Sequence, residues 1–394
     1  MRRVAVVGAS AAGLAAAETL RRENFGGTIT LIGDEPHLPY DRPPLSKQIL
    51  SGEWGADRLP LRTPADVDAL KLELRLGSAA TGLDLAGRSV ALADGDQVPY
   101  DGLVIATGVR PRRLPGHARA HVLRTLEDAL ALKGRLEAGC RLVVVGAGFL
   151  GAEAAAVARG LGVEVTLLEP APVPLAHAVG EEVGRVLSGA HADHGVDLRT
   201  GVLVQEVTAE GVRLADGTLI EADEVLVAIG SLPNTEWLEG SGLRLDNGLV
   251  CDEYGQAASG VYGAGDVAHW YNPLFGTSMR IEHRTHASEQ GMAVIRNLLC
   301  EDSGAQRAFA PVPYFWSDQY DMKIQAYGYL RGHEEIAVVE GSLAERRFVA
   351  AYRRGTRLVG VLGVGVPPKA IRSWRAAIAA GAEWRDTVRG VPAA

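Results

Sequence analysis

The sequence predicts an α/β protein in which two Rossmann-like dinucleotide-binding domains are joined to a C-terminal α+β domain with an antiparallel sheet. Three observations carry that prediction. Two glycine-rich turns lie about 140 residues apart, GASAAG at Gly8 to Gly13 and GAGFLG at Gly146 to Gly151. Each stands between an apolar, strand-like run and an alanine-rich, helix-like run, the order of a βαβ unit that grips a diphosphate at a helix N-terminus. From about Ala305 the pattern changes to antiparallel alternation without a further nucleotide motif.

In chain order, a strand over 3–7 enters the first turn, a helix follows over 13–22, and a second strand over 28–32 ends at Asp34 and Glu35. The loop LPYDRPPLSK comes next, where Pro43 and Pro44 forbid regular helix and favour a pre-set backbone able to present Arg42 and Lys47 rigidly. Strands over 89–92 and 103–106 lead to ATG at Ala106, Thr107 and Gly108. The second unit repeats this order with a strand over 142–146, a helix over 149–160 and a strand over 164–168 that ends at Glu169. Strands near 212–214 and 224–228 reach AIG, ending at Gly230, the counterpart of ATG. VYGAGDV at 261–267 reads as a short strand and glycine turn closing on an acid, Asp266. Beyond 305, Phe348, Ala350 and Tyr352 fall on one strand face, Arg354 and Gly355 form a turn, and a strand over 357–362 returns. A last amphipathic helix over 369–380 places Ile371, Trp374 and Ile378 along one side. The expected segments are 1–110, 111–232, 233–304 and 305–394, the first and third forming one domain around an inserted second.

Composition limits the functional classes. A chain of 394 residues is too long for one ordinary core. Its apolar runs, such as 142–145 and 225–229, stop well short of the roughly 20 residues that span a bilayer, so no membrane association is expected. The N-terminal MRRVAVVGASAAGLAAAETL resembles an export signal, but Gly8 and Gly13 fit a strand-turn-helix better. Three widely spaced cysteines, Cys140, Cys251 and Cys300, suit a reducing cytoplasm and form no disulfide framework. The net charge of −8 argues against a general nucleic-acid binder. From Ala305 onward, however, thirteen Lys and Arg face eight Asp and Glu, a local +5 against −13 for the rest. Arg346, Arg347, Arg353, Arg354, Arg357, Arg372 and Arg375 are either a solvated face or a dock for an acidic protein.

In GASAAG, Gly8 permits the tight turn and Gly13 permits helix–strand contact, while Ser10 replaces the usual middle glycine with a small hydroxyl. Asp34, 21 residues past Gly13, is placed to accept from an adenosine ribose hydroxyl. In GAGFLG all three glycines, Gly146, Gly148 and Gly151, are present. Glu169 stands 18 residues beyond Gly151, where a carboxylate bonds the ribose diol and repels a 2′-phosphate. No Arg or Lys follows it over 170–176, which favours NADH over NADPH; His177 is the nearest basic residue. His191 with His194, and His283 with His286, have a spacing compatible with two ligands on a helix face, yet no metal is expected at either.

The two turns together with GAGD resemble the glutathione-reductase-like flavoprotein superfamily. Its disulfide branch needs a CxxxxC pair, and residues 36–50 hold no cysteine. PYDRPPLSK at 39–47, RTLEDA at 124–129, RIEH at 280–283 and PYFWSDQYDMKIQAYG at 313–328 narrow the resemblance, over nearly the whole chain, to the oxygenase-coupled, NADH-dependent ferredoxin reductases. The resemblance implies FAD and NAD as cofactors. It assigns Gly8, Ser10, Ala12 and Gly13 to the FAD diphosphate, Asp34 to its ribose, and Arg42 and Lys47 to the phosphates and isoalloxazine edge. Ala80 and Arg124 lie on the adenine side, Thr107 and Gly108 belong to the same site, Asp266 serves the ribityl region, and Trp316 packs by the flavin. Glu282 and Arg284 also fall on this site, although Arg284 occupies a position often filled by tryptophan. For NADH the matching residues are Gly146, Gly148, Leu150, Gly151, Glu169 and Gly230.

Glu153 has two readings. It is a helix N-terminal charge favoured by the dipole, or, as the resemblance prefers, a contact for the nicotinamide carboxamide with Lys47 as its ion-pair partner. The implied reaction passes hydride from NADH to the flavin and then single electrons to a 2Fe-2S ferredoxin. That ferredoxin would serve a haem-thiolate monooxygenase or a Rieske-type ring-hydroxylating dioxygenase, with the reductase a monomer or homodimer. The alternatives are an NADH oxidase, or quinone or peroxide reductase, and a redox interaction protein resembling apoptosis-inducing factor. Neither a cysteine in the front segment nor a presequence or long basic insertion supports them.

Overall fold

Val4, Val6 and Val7 are almost fully buried because Arg3–Val7 runs through the middle of a six-stranded sheet, parallel to Thr28–Gly33 on one side and Gly102–Ile105 on the other. Strands covered on both faces need continuous rather than alternating apolar sequence, as VAVV and LVI supply. This computed structural model describes residues 1–116, 120–300 and 302–388. Residues 117–119, 301 and 389–394, which fall in the expected segments 111–232, 233–304 and 305–394, lie outside the described residues. The chain forms two compact units, one from Met1–Asp41, Leu59–Arg110 and Leu232–Pro311, the other from Arg42–Arg58, Pro111–Ser231 and Val312–Ala394.

In the first unit the sheet order is Gln256–Ala258, Val261–Gly263, Gly102–Ile105, Arg3–Val7, Thr28–Gly33, Glu73–Leu76, all parallel except the first strand. The helix after the first glycine turn runs over Ala11–Arg22. It begins earlier than expected because the Leu14 amide already donates to the Ser10 carbonyl at 2.8 Å. Arg284–Leu298 packs against it so closely that a Cβ on Gly291 would stand 2.3 Å from the Ala12 carbonyl oxygen. The strand Ser89–Leu92 does not pair with the one before ATG. It joins Ala80–Asp84 and Gln97–Pro99 in a small antiparallel sheet, while Gly102–Ile105 belongs to the central one. Both runs are short and apolar, and periodicity does not say which sheet a strand joins.

The second unit contains a five-stranded parallel sheet in the order Asp197–Thr200, Glu164–Glu169, Arg141–Val145, Glu224–Val227, Ala120–His121. It also contains an antiparallel sheet ordered Tyr314–Gln319, Met322–Gly328, Arg357–Val364, Arg347–Arg354, Glu335–Ser342. Phe348, Ala350 and Tyr352 do share a face, but Val349 and Ala351 opposite are equally buried. The strand is interior and both sides are covered: Tyr352 donates to the Val179 carbonyl at 2.8 Å, and the helix Pro368–Ala379 lies on the other face with Ile371 against Gly363. Ile371 and Ile378 are buried and Trp374 is half-buried.

His191 and His286 are buried neutral groups that tie stability to pH. His191 bonds the Tyr320 hydroxyl at 2.8 Å, and His286 lies against the rings of Trp270 and Phe309. Burial pulls them down from the usual 6.5 to about 4 and about 3. Between about pH 6.5 and 4 the unfolded chain therefore takes up protons that the native chain refuses, so stability falls as the pH falls and is fully retained above 6.5. For His191 the difference corresponds to roughly 3 kcal/mol. Thermal melts of the flavin-loaded protein should drop steadily from about pH 7 to 4.5, less steeply in His191→Gln. A melting temperature unchanged across that range would remove both histidines from the account.

Candidate functional site

The first glycine turn is closed by backbone alone. A Cβ on Gly8, whose φ is +122°, would stand 2.0 Å from the Ala106 carbonyl oxygen, and one on Gly13 would stand 1.9 Å from that of Gly8. The second turn repeats the arrangement: a Cβ on Gly146 would stand 2.4 Å from the Ala228 oxygen and one on Gly151 2.0 Å from the Gly146 oxygen. Ala106 opens ATG and Ala228 opens AIG. These motifs recur because each supplies the carbonyl against which the first glycine packs.

Both turns leave their helix N-termini open. Ser10 and Gly148 make no side-chain cap bond, and neither following helix has an acid in its first turn. By contrast, Thr63 and Thr125 form complete capping boxes at the helices Pro64–Ala69 and Leu126–Lys133. A Cβ on Gly148 would meet nothing within 4 Å. Uncapped amides at a positive helix end, behind turns whose first and last glycines admit no side chain, fit the diphosphates of FAD and NAD.

Within the first unit, Gly265 lies beside Ala12, a Cβ on it standing 3.1 Å from that of Ala12, so the GAGD turn with Asp266 meets the start of the first helix. Arg284, the first residue of its helix, ion-pairs with Asp41 and donates to Ser288 Oγ at 2.7 Å. Glu282 pairs with Arg280 at 2.7 Å, and Arg280 also donates to the Asp266 carbonyl at 3.1 Å. Thr107 and Asn234 exchange hydrogen bonds at 2.8 and 2.9 Å, and the Asn234 amide reaches the Gly108 carbonyl at 3.0 Å. Asp34 is exposed beyond the strand Thr28–Gly33, and Ala80 begins the strand Ala80–Asp84.

In the second unit the Glu169 carboxylate accepts from the amides of Ala147, inside the glycine turn, at 2.8 Å and of Ala171 at 3.0 Å. Leu150 is exposed at the helix start. Gly230, at φ +96°, accepts from the Arg112 amide at 2.9 Å. Arg42 donates to the Arg124 carbonyl at 2.7 Å. Trp316 stacks with Tyr314, their centroids 6.0 Å apart.

A buried polar cluster of this unit gathers on Glu153. Lys47 Nζ donates to Oε2 at 2.7 Å, Ser46 Oγ donates to the same oxygen at 2.6 Å, and Ser317 Oγ donates to Oε1 at 2.6 Å. The Lys47 and Glu153 side chains are only 11 % and 6 % exposed, so this pair is not a surface ion pair. The helix-end reading of Glu153 is thereby corrected. Its helix starts at Phe149, Glu153 lies beyond the first turn, and its oxygens face side chains of other segments rather than helix amides. Sequence reasoning missed Ser46 and Ser317, although both stand inside strings already singled out, PYDRPPLSK and FWSDQYD. His191 and His194 both engage Tyr320, one by hydrogen bond and the other by stacking at 3.7 Å. No group of three or more metal-ligating side chains occurs among the described residues.

Residues 2–291 match the pyridine nucleotide-disulphide oxidoreductase family, and residues 314–389 match the reductase C-terminal family. The ferredoxin–NAD(+) reductase component of the p-cumate 2,3-dioxygenase system of Pseudomonas putida is 42 % identical over 332 residues, 83 % of this chain and 81 % of that one. Rhodocoxin reductase of Rhodococcus erythropolis is 37 % identical over 92 % of this chain and 86 % of its own. The crystal structure of the covalent putidaredoxin reductase–putidaredoxin complex superposes with a TM-score of 0.90 at 35 % identity, covering 96 % of this chain and 93 % of that one.

Proposed function

From a chain that belongs to the pyridine nucleotide-disulphide oxidoreductase family, we infer an NADH-dependent ferredoxin reductase that uses FAD and passes electrons to a 2Fe-2S ferredoxin. The observation that carries the cofactor reading is the pair of glycine turns with open helix ends, each closed by its own alanine carbonyl. The acceptor reading is supported by a relative named as the ferredoxin–NAD(+) reductase component of a dioxygenase system, by one named rhodocoxin reductase, and by the likeness to a reductase held in complex with putidaredoxin. A haem-thiolate monooxygenase or a Rieske-type dioxygenase is the proposed terminal partner. Although the family is named for disulphide chemistry, all three cysteines here are free.

Bound FAD supplies a centre that takes a hydride from NADH and releases electrons singly. In the first unit, Gly8, Ser10, Ala12 and Gly13 hold the FAD diphosphate, Asp34 its ribose and Ala80 its adenine side. Thr107, Gly108, Asp266, Glu282 and Arg284 have the FAD roles that the resemblance implies. So have Arg42, Lys47, Arg124 and Trp316. Gly146, Gly148, Leu150 and Gly151 hold NADH, with Glu169 at the ribose and Gly230 toward the nicotinamide half. Lys47 and Glu153 serve the hydride step, Glu153 by accepting from the nicotinamide carboxamide. The division into segments 1–110 and 233–304 for FAD, 111–232 for NAD and 305–394 for the C-terminal domain belongs to the same reading. So does a cytoplasmic location, which the free cysteines suit; no helix among the described residues is long and apolar enough to cross a membrane.

Stopped-flow mixing with NADH and NADPH, followed by candidate ferredoxins, tests the proposal. NADH should bleach the flavin rapidly, and a ferredoxin should reoxidise it faster than oxygen does. Bleaching with no ferredoxin faster than oxygen would defeat the reductase reading. Glu169→Ala should lower the preference for NADH over NADPH by about tenfold to a hundredfold, the worth of one hydrogen bond to a charged group. Unchanged selectivity would take Glu169 out of ribose recognition.

A further inference from the structure

Ser317 reaches Glu153 from a strand that lies in register with the helix carrying it. On Tyr314–Gln319, residues 315, 317 and 319 share one face. Phe315 packs on Phe149 with centroids 4.8 Å apart, and Ser317 bonds Glu153. Two strand residues advance about 6.6 Å and four helix residues about 6 Å, so the steps from 315 to 317 and from 149 to 153 match. Ser317 is fully buried, and its oxygen accepts from Gln319 Nε2 at 3.4 Å, so its single proton points to the carboxylate.

We propose that Ser317 is a positioning residue for nicotinamide recognition: its hydroxyl holds the Glu153 carboxylate in the rotation that divides the oxygens between two duties. Oε2 is taken by Ser46 and Lys47, whereas among the described residues Oε1 receives only the Ser317 hydroxyl and keeps capacity for one further donor. The final torsion of a glutamate is soft and two-fold. Without Ser317 the carboxylate turns until the ammonium of Lys47 shares both oxygens, and Oε1 no longer waits for the ligand. The inference rests on the reading that Glu153 accepts from the carboxamide.

The test compares NADH with reduced 3-acetylpyridine adenine dinucleotide, whose acetyl group has no N–H to donate. Ser317→Ala should lower the ratio of kcat/KM for NADH over the analogue by roughly tenfold, mainly through the KM for NADH, and Ser317→Thr, which keeps the hydroxyl, should restore it. A merely structural role would depress both substrates together and leave the ratio alone. If Ser317→Ala loses its flavin, Ser317→Cys carries the same comparison with a poor donor in the same space. A ratio unchanged in the Ser317 variant but lowered in Glu153→Leu, which keeps no acceptor, overturns the positioning role alone. A ratio unchanged in Glu153→Leu as well overturns the carboxamide reading and the inference with it.

Discussion

Gly151→Val is expected to give a yellow protein that NADH reduces at least about a hundredfold more slowly than the parent, while Gly13→Val is expected to emerge largely free of flavin. The two positions are structural equivalents. A side chain at Gly151 would begin 2.0 Å from the Gly146 carbonyl, and one at Gly13 would begin 1.9 Å from the Gly8 carbonyl. Neither oxygen can retreat, because each belongs to the turn that orients the open helix amides. Gly148→Ala separates ligand from fold. Its φ of −68° accepts alanine and no atom stands within 4 Å, so the melting temperature should not move. The added methyl enters the space proposed for the diphosphate, and KM for NADH should rise about tenfold. Flavin content, anaerobic NADH bleaching and melting curves decide all three; a normal KM in Gly148→Ala would move the nucleotide elsewhere.

The second large effect concerns Lys47 and Glu153. Truncating one partner, as in Lys47→Met or Glu153→Leu, strands the other charge in a site with almost no solvent access. Such losses are worth about 3–5 kcal/mol and should lower the melting temperature by roughly 10 °C. The double variant Lys47→Met/Glu153→Leu should recover most of that stability, because a buried pair replaced by apolar side chains is often neutral or better. It should not recover NADH-driven flavin reduction, expected to stay about a hundredfold down for want of both charges. Recovery of rate together with stability would reduce the pair to a structural element.

What the sequence revealed and what it concealed follow from the range of the interactions. Gly8, Gly13, Gly146 and Gly151 were legible because their constraint is local, a turn with no room for Cβ. Even the kinship of ATG and AIG was visible, though the reason, Ala106 and Ala228 pressing carbonyls onto the first glycines, needed coordinates. Lys47 and Glu153 came from resemblance, and their geometry agrees with pairing at 2.7 Å. Ser46 and Ser317 were invisible because they reach Glu153 across 107 and 164 residues, and nothing in a serine announces a distant carboxylate. Likewise, burial on both faces of Arg347–Arg354 depends on Val179 and on the helix Pro368–Ala379, which a period of two does not report.

The Glu153 cluster also has a history in time. Lys47 and Ser46 leave the ribosome before Glu153, but Ser317 follows it by 164 residues. At typical synthesis rates of roughly 5–20 residues per second, that interval is about 8–33 s. During it a nascent chain can close both glycine turns and pair its lysine while one carboxylate oxygen still lacks its serine. The order of synthesis thus makes both nucleotide grips available before the serine that aligns Glu153 exists, so a chain cut short before residue 314 is released with that alignment unmade.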